Sequence, residues 1–126
     1  MNIGIVGQGY VGTAIKVGFE PYYDLETYDK YDEKKSTCDL ADLVIVTEDN
    51  PRLEDAAFIR KGVLSGCDMT KVIEIANRKE AIKQAVTMLQ PEDVLILAGK
   101  GHEKYQIIGN ERFDFDEEKI VQDAIR

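Results

Sequence analysis

The sequence predicts an α/β fold: one doubly wound parallel sheet with helices on both faces and a C-terminal antiparallel hairpin at its edge. Three observations carry that expectation. Leu43-Val44-Ile45-Val46 and Val94-Leu95-Ile96-Leu97 are short, uniformly apolar runs, as in strands covered on both faces. The segments between such runs carry apolar residues at helical spacing, for example Ala81, Ile82, Ala85, Val86 and Leu89. The chain also opens with an apolar run, Asn2–Val6, that leads directly into a glycine-rich turn and a helical pattern. Strands alternating with helices make a parallel sheet.

The elements follow in order. Residues 2–6 form the first strand. A helix follows with Val11, Ala14, Ile15, Gly18 and Phe19 on one face, and Pro21 ends it. Residues 23–28 are predicted as a second strand that delivers Asp29 to its carboxyl end. Residues 30–42 are polar and charged, with room for a loop and one helical turn rather than a full crossover helix. Residues 43–46 are the third strand. A helix over 53–64 turns Ala56, Phe58, Ile59 and Val63 inward, with Gly66 as its C-terminal cap. The fourth strand is 71–75. Asn77 caps the next helix, and Glu80 stands at capping-box spacing. Residues 94–97 are the fifth strand. Gly109-Asn110 between 105–108 and 112–115 signals a hairpin. A last helix starts near Asp116 and turns Ile120, Val121, Ala124 and Ile125 inward. Counted along the chain, the expected strand order is 3-2-1-4-5.

At 126 residues this is one domain, 1–126. Its formal net charge of −8 opposes nucleic acid and anionic membranes as partners, since both need a basic face. No signal peptide or membrane span is read, so the expected location is cytoplasmic and the expected state monomeric. The two cysteines, Cys38 and Cys67, and the single histidine, His102, lack metal-site spacing, so no metal is expected.

Chemistry is carried first by Gly7-Gln8-Gly9-Tyr10-Val11-Gly12. Gly7 permits a tight turn, Gly9 lets a pyrophosphate approach the backbone, and Gly12 lets the helix pack against its strand. The helix N-terminus then faces the anion. Asp29 stands about 20 residues on, where a carboxylate holds a ribose hydroxyl. The motif makes the fold Rossmann-like, and NAD or another dinucleotide or phosphate its candidate ligand. The bland alternative is that the glycines only shape a strand–helix turn and that Asp29 is a solvated loop residue.

Residues 1–38, through Phe19-Glu20-Pro21 and Glu26-Thr27-Tyr28-Asp29-Lys30, resemble the NAD-binding opening of the UDP-glucose/GDP-mannose dehydrogenase family. Residues 39–126 resemble something else. Leu40 to Thr47, Asp49-Asn50-Pro51-Arg52, Asn77 to Ile82, Ala98-Gly99-Lys100-Gly101-His102-Glu103 and Tyr105 to Gly109 are similar to the C-terminal domain of the Mur ligases that add meso-diaminopimelate. That resemblance implies that Asn50 and Arg52 read the distal carboxylate of diaminopimelate, and that Gly99 and Glu103 hold its amino group. A guanidinium fork suits a carboxylate, and a carboxylate suits an ammonium. His102 is assigned no catalytic role.

Neither resemblance brings along its whole enzyme. The dehydrogenase's second domain and the ligase's ATP-binding domain are not read in these residues. The expectation is therefore an engineered chimera with no complete active site, no catalytic residue and no required cofactor. One alternative is a residual NAD(H) or ADP-ribose module at Gly7–Gly12. A second is a fragment of a Mur-type ATP-dependent ligase that binds diaminopimelate.

Overall fold

A computed structural model describes the backbone of Asn2–Val6 and residues 41–126. The predicted helix after Gly12, the strand over 23–28 and the crossover over 30–40 lie outside the described residues, as do Gly7, Gln8, Gly9, Tyr10, Val11, Gly12 and Asp29. Element order is β1 (Asn2–Val6), β2 (Leu43–Val46), α1 (Ala56–Leu64), β3 (Val72–Glu74), α2 (Arg78–Met88), β4 (Val94–Leu97), β5 (Tyr105–Ile108), β6 (Glu111–Asp114) and α3 (Glu117–Ile125).

Among the described residues, four parallel strands lie in the order β3-β2-β1-β4. This corrects the expected 3-2-1-4-5 order. Residues 43–46 pair directly with β1, Ile3 opposite Leu43 and Val6 opposite Val46. On its other side β1 pairs with β4, Asn2 opposite Val94 and Ile5 opposite Leu97. A strand has two edges, and both edges of β1 are taken. The strand expected beside it, residues 71–75, is therefore displaced outward, where β3 pairs with β2.

Helix placement follows from that order. The chain moves outward from β2 through α1 to β3, then returns through α2 to β4. Right-handed crossovers in opposite directions put their helices on opposite faces. Ile45 accordingly packs with Ala81, Ile82 and Ala85 of α2, joined by Leu43, Ile73, Leu95, Leu97 and, from the C-terminal segment, Phe115, Ile120 and Val121. Val44 and Val46 point the other way, to Val63 and Leu64 of α1. Strand β2 is thus buried on both sides, as its uniform apolarity predicts.

Helix ends differ from the sequence expectation in instructive ways. Helix α1 starts at Ala56, not Leu53, because the Asp55 carboxylate accepts the N–H groups of Ala57 and Phe58. Phe58, expected inward, is 77% exposed. With Val63 and Leu64 facing the sheet, position 58 falls well around the helix from them. Ile125, also expected inward, is exposed in the last turn of α3. Gly66 is not in the left-handed region, and α1 ends at Leu64 with Ser65 as its C-cap, the Ser65 N–H bonded to the Lys61 carbonyl. Asn77 caps α2 as predicted, its Oδ1 accepting the Glu80 N–H at 3.1 Å. The Glu80 carboxylate accepts from Lys83.

The hairpin is the second correction. Strands β5 and β6 form a separate two-stranded sheet rather than an edge of the parallel one. Their two-residue turn has Gly109 at φ 61° in its first position, as in a type II′ turn. Strand β5 finds its outer hydrogen bonds in the loop after β2: Arg52 N–H donates to the Ile107 carbonyl at 3.3 Å, and Gly109 N–H to the Arg52 carbonyl at 2.7 Å. A strand satisfied by a loop has no remaining need of the sheet edge. Among the described residues, no helix is long and apolar enough to cross a membrane.

Candidate functional site

Because β2, β1 and β4 are parallel, the loops leaving β2 (residues 47–55) and β4 (residues 98–104) start at the same edge of the sheet, one on each side of β1. Two strand spacings, roughly 10 Å, separate their roots. This is the carboxyl edge at which strand order reverses, the position where open α/β sheets take ligands.

Side chains close the gap. Asn50 donates from Nδ2 to Glu103 Oε2 at 2.9 Å, so two of the residues assigned from the sequence do meet. Asn50 Oδ1 accepts the Ile107 N–H at 3.0 Å and the Lys100 ammonium at 2.9 Å. Lys100 also pairs with Asp49 Oδ1 at 2.9 Å and lies 5.7 Å from the centre of the Phe115 ring. Gln106 adds a bond from Nε2 to the Asp49 carbonyl at 2.8 Å. Gly99, at φ 114°, and Gly101, at φ 53°, bracket Lys100. Those angles strain any residue with a Cβ, and they give the short loop the reversals it needs to turn Lys100 inward.

Arg52 is placed differently. Its backbone sits in the left-handed region, φ 53°, pinned on both sides by the hairpin bonds. The residue is exposed, and among the described residues its guanidinium forms no ion pair. Among the described residues, the first loop therefore carries an exposed, unpaired Arg52 cation two positions after Asn50, whose amide is bonded to the half-buried Glu103 carboxylate of the second loop. Such a set can bind a carboxylate at one end and an ammonium at the other. Gly99 lies in the same loop as Glu103. Exposed His102 has no role in the network.

A second layer was not read from the sequence. Arg78, 1% exposed, donates Nη2 to the Ala98 carbonyl at 2.8 Å and Nη1 to the Glu48 carbonyl at 3.4 Å. Its Nε reaches Glu117 Oε1 at 2.6 Å. One guanidinium thus holds the first residues of both loops and the start of α3. Arg60 ties Glu48 of the first loop to Glu74 of β3. The available signal was an arginine at the first position of α2, where the helix dipole favours acidic residues. For Lys100 it was a lone lysine between two glycines.

Comparison with known proteins accords with these positions. A family model described as Mur ligase, glutamate ligase domain, matches residues 23–101, more than half of the chain. The chain is 52% identical over 87 residues to the UDP-N-acetylmuramoyl-L-alanyl-D-glutamate--2,6-diaminopimelate ligase of Rickettsia bellii, covering 69% of this chain and 18% of that protein. It is 45% identical over 87 residues to ligase 1 of the same description from Clostridium acetobutylicum, with the same two coverages. A solved structure of a ligase so described aligns over 98% of this chain and 23% of its own, at 30% identity and a TM-score of 0.71. The chain spans about a fifth of the length of the relatives it matches.

These findings overturn the expectation of a non-enzyme, because the relatives are ligases. The family match begins at residue 23 and the structural match covers nearly the whole chain, so both cross the expected boundary between residues 1–38 and 39–126. What the comparisons show is the ligase; a dehydrogenase-derived opening and a splice are not part of it. The chain belongs to the Mur ligase family, matching its glutamate ligase domain.

Proposed function

We propose that this chain is the amino-acid-recognising C-terminal part of an ATP-dependent ligase that joins 2,6-diaminopimelate to a UDP-N-acetylmuramoyl dipeptide in the cytoplasm. The observation that carries it is the junction of the two loops: Asn50 is bonded to Glu103, and Arg52, exposed and unpaired among the described residues, stands two positions further along the first loop. In this reading Arg52 and Asn50 take the distal carboxylate of the amino acid, and Glu103 with the Gly99 backbone takes its distal ammonium. The other amino group is left for the condensation. These residues bind and orient, while nucleotide chemistry belongs to the remainder of a ligase of the relatives' length.

The test is a titration of the ¹⁵N-labelled chain with meso-diaminopimelate, with L-lysine as a control that lacks the distal carboxylate. Millimolar affinity, about 4 kcal/mol, suffices for detection by amide shifts. Shifts should concentrate in residues 49–53 and 99–104, and Arg52→Ala should weaken the response at least tenfold. No shift at saturating millimolar ligand refutes the reading.

An NAD(H) or ADP-ribose site at Gly7–Gly12 and Asp29 is a separate proposal. Its support is the motif itself and the central position of β1, the strand that leads into it. NADH fluorescence that rises with the chain and vanishes with Gly9→Val would uphold it, and an unchanged signal would end it.

A further inference from the structure

We infer that Lys100 is a positioning residue of the amino-acid site: its buried ammonium sets which way round the Asn50 amide is held, and through it the facing carboxylate of Glu103. The inference rests on the reading of this cluster as a diaminopimelate site and assigns a residue that the reading leaves without a role.

The argument begins with donor and acceptor bookkeeping around one side chain. An Asn amide has an accepting end and a donating end, and its two orientations are nearly equal in shape. Here Oδ1 faces two donors, the Lys100 ammonium at 2.9 Å and the Ile107 N–H at 3.0 Å. Nδ2 faces an acceptor, Glu103 Oε2, at 2.9 Å. Turning the amide over would set NH₂ against two donors and a carbonyl against a carboxylate, breaking all three bonds at once. Ile107 N–H is one neutral donor. The ammonium is the charged one, and bonds to charged donors are about twice as strong.

Burial makes this a costly arrangement to keep for stability alone. The Lys100 side chain is 0% exposed, and Asp49, at 16%, is its counter-ion. A buried ion pair is often no more stable than apolar side chains of the same volume. What an apolar residue cannot supply is a donor aimed at Asn50 Oδ1. With the amide held, the second N–H of Nδ2 and the free oxygen of Glu103 keep fixed directions for an incoming carboxylate and ammonium. An unheld amide would offer the ligand carboxylate either its donor or its acceptor, and discrimination would fall.

Two measurements test this. In the unaltered protein, without ligand, a scalar coupling through the hydrogen bond should connect ¹⁵Nζ of Lys100 to ¹³Cγ of Asn50. In Lys100→Met, checked for folding by its amide spectrum, the Asn50 side-chain NH₂ resonances should shift. The preference for meso-diaminopimelate over L-lysine should fall about tenfold. Absence of the coupling in the unaltered protein overturns the proposal, as do unmoved Asn50 resonances in Lys100→Met or equal weakening of both ligands. If Lys100→Met does not fold, the coupling in the unaltered protein decides. If the unaltered protein ignores diaminopimelate, the substrate reading fails, while coupling and resonances still judge whether Lys100 holds Asn50.

Discussion

Arg52 shows at residue scale how function is set against local stability. An L-residue in the left-handed region costs about 1–2 kcal/mol relative to its ordinary conformations. Glycine avoids that cost but gains roughly 0.5–1 kcal/mol of disorder in the unfolded chain. The bonds that hold position 52, from its N–H to Ile107 and from Gly109 to its carbonyl, are made by backbone and survive the change. Arg52→Gly should therefore be at least as stable as the parent in urea unfolding, and it should lose the diaminopimelate response. A clear loss of stability would mean that the guanidinium stem is packed rather than presented. That the loops of Asn50 and Glu103 belong together was legible because both carry specific residue strings. Lys100 stood in the same string, yet burial and partners decide its role, and a sequence displays neither.

Among the elements, α3 shows how capping couples to pH. Asp116 is its N-cap, accepting the Lys119 N–H at 3.2 Å and the Lys104 ammonium at 3.0 Å. The Lys104 hydrogen bond, then the Lys119 N–H, hold the Asp116 carboxyl below the usual carboxylate range. The same contact raises Lys104. For an acid depressed in the folded state, the stabilisation is present above its unfolded pKa and is lost as pH falls through the folded value. For a raised lysine it is present below the unfolded pKa and lost as pH rises through the folded one. The cap should therefore hold across neutral pH and weaken at both extremes. Both groups are exposed, so the effect is local. Hydrogen exchange at the Lys119 amide should quicken, beyond its intrinsic rate, as Asp116 is protonated, and Asp116→Asn should remove that acid dependence. A Lys119 amide whose protection ignores pH would show that the cap does not bear on α3.

The sheet was legible in its strands but not in its order. Residues 43–46 and 94–97 were read correctly as strands because four apolar residues in a row have few other uses, but the expected cover on both faces holds for 43–46 and not for 94–97, where Val94 and Ile96 are exposed. Their neighbours depend on which edges of β1 are taken, and no local pattern records that. The same holds for the pillar beneath the site. Arg78 joins the carbonyls of Glu48 and Ala98 to the carboxylate of Glu117, three points 30, 20 and 39 residues away in sequence. No side-chain nitrogen or oxygen buried among the described residues lacks a partner, so every donor of that guanidinium counts. Removing one member of a buried pair leaves the other without compensation, a loss of roughly 3–5 kcal/mol. Arg78→Met should lose about that much in urea unfolding, because Glu117 and both carbonyls are left facing an apolar side chain. Adding Glu117→Leu takes away the uncompensated charge, so the double variant should regain part of the loss. Its two carbonyls still lack their donor, and the loops after β2 and β4 would no longer be held in step. Stability would then return without diaminopimelate binding, which separates the pillar's contribution to folding from its contribution to the site. A double variant no more stable than Arg78→Met would place the whole loss on the carbonyls rather than on the ion pair.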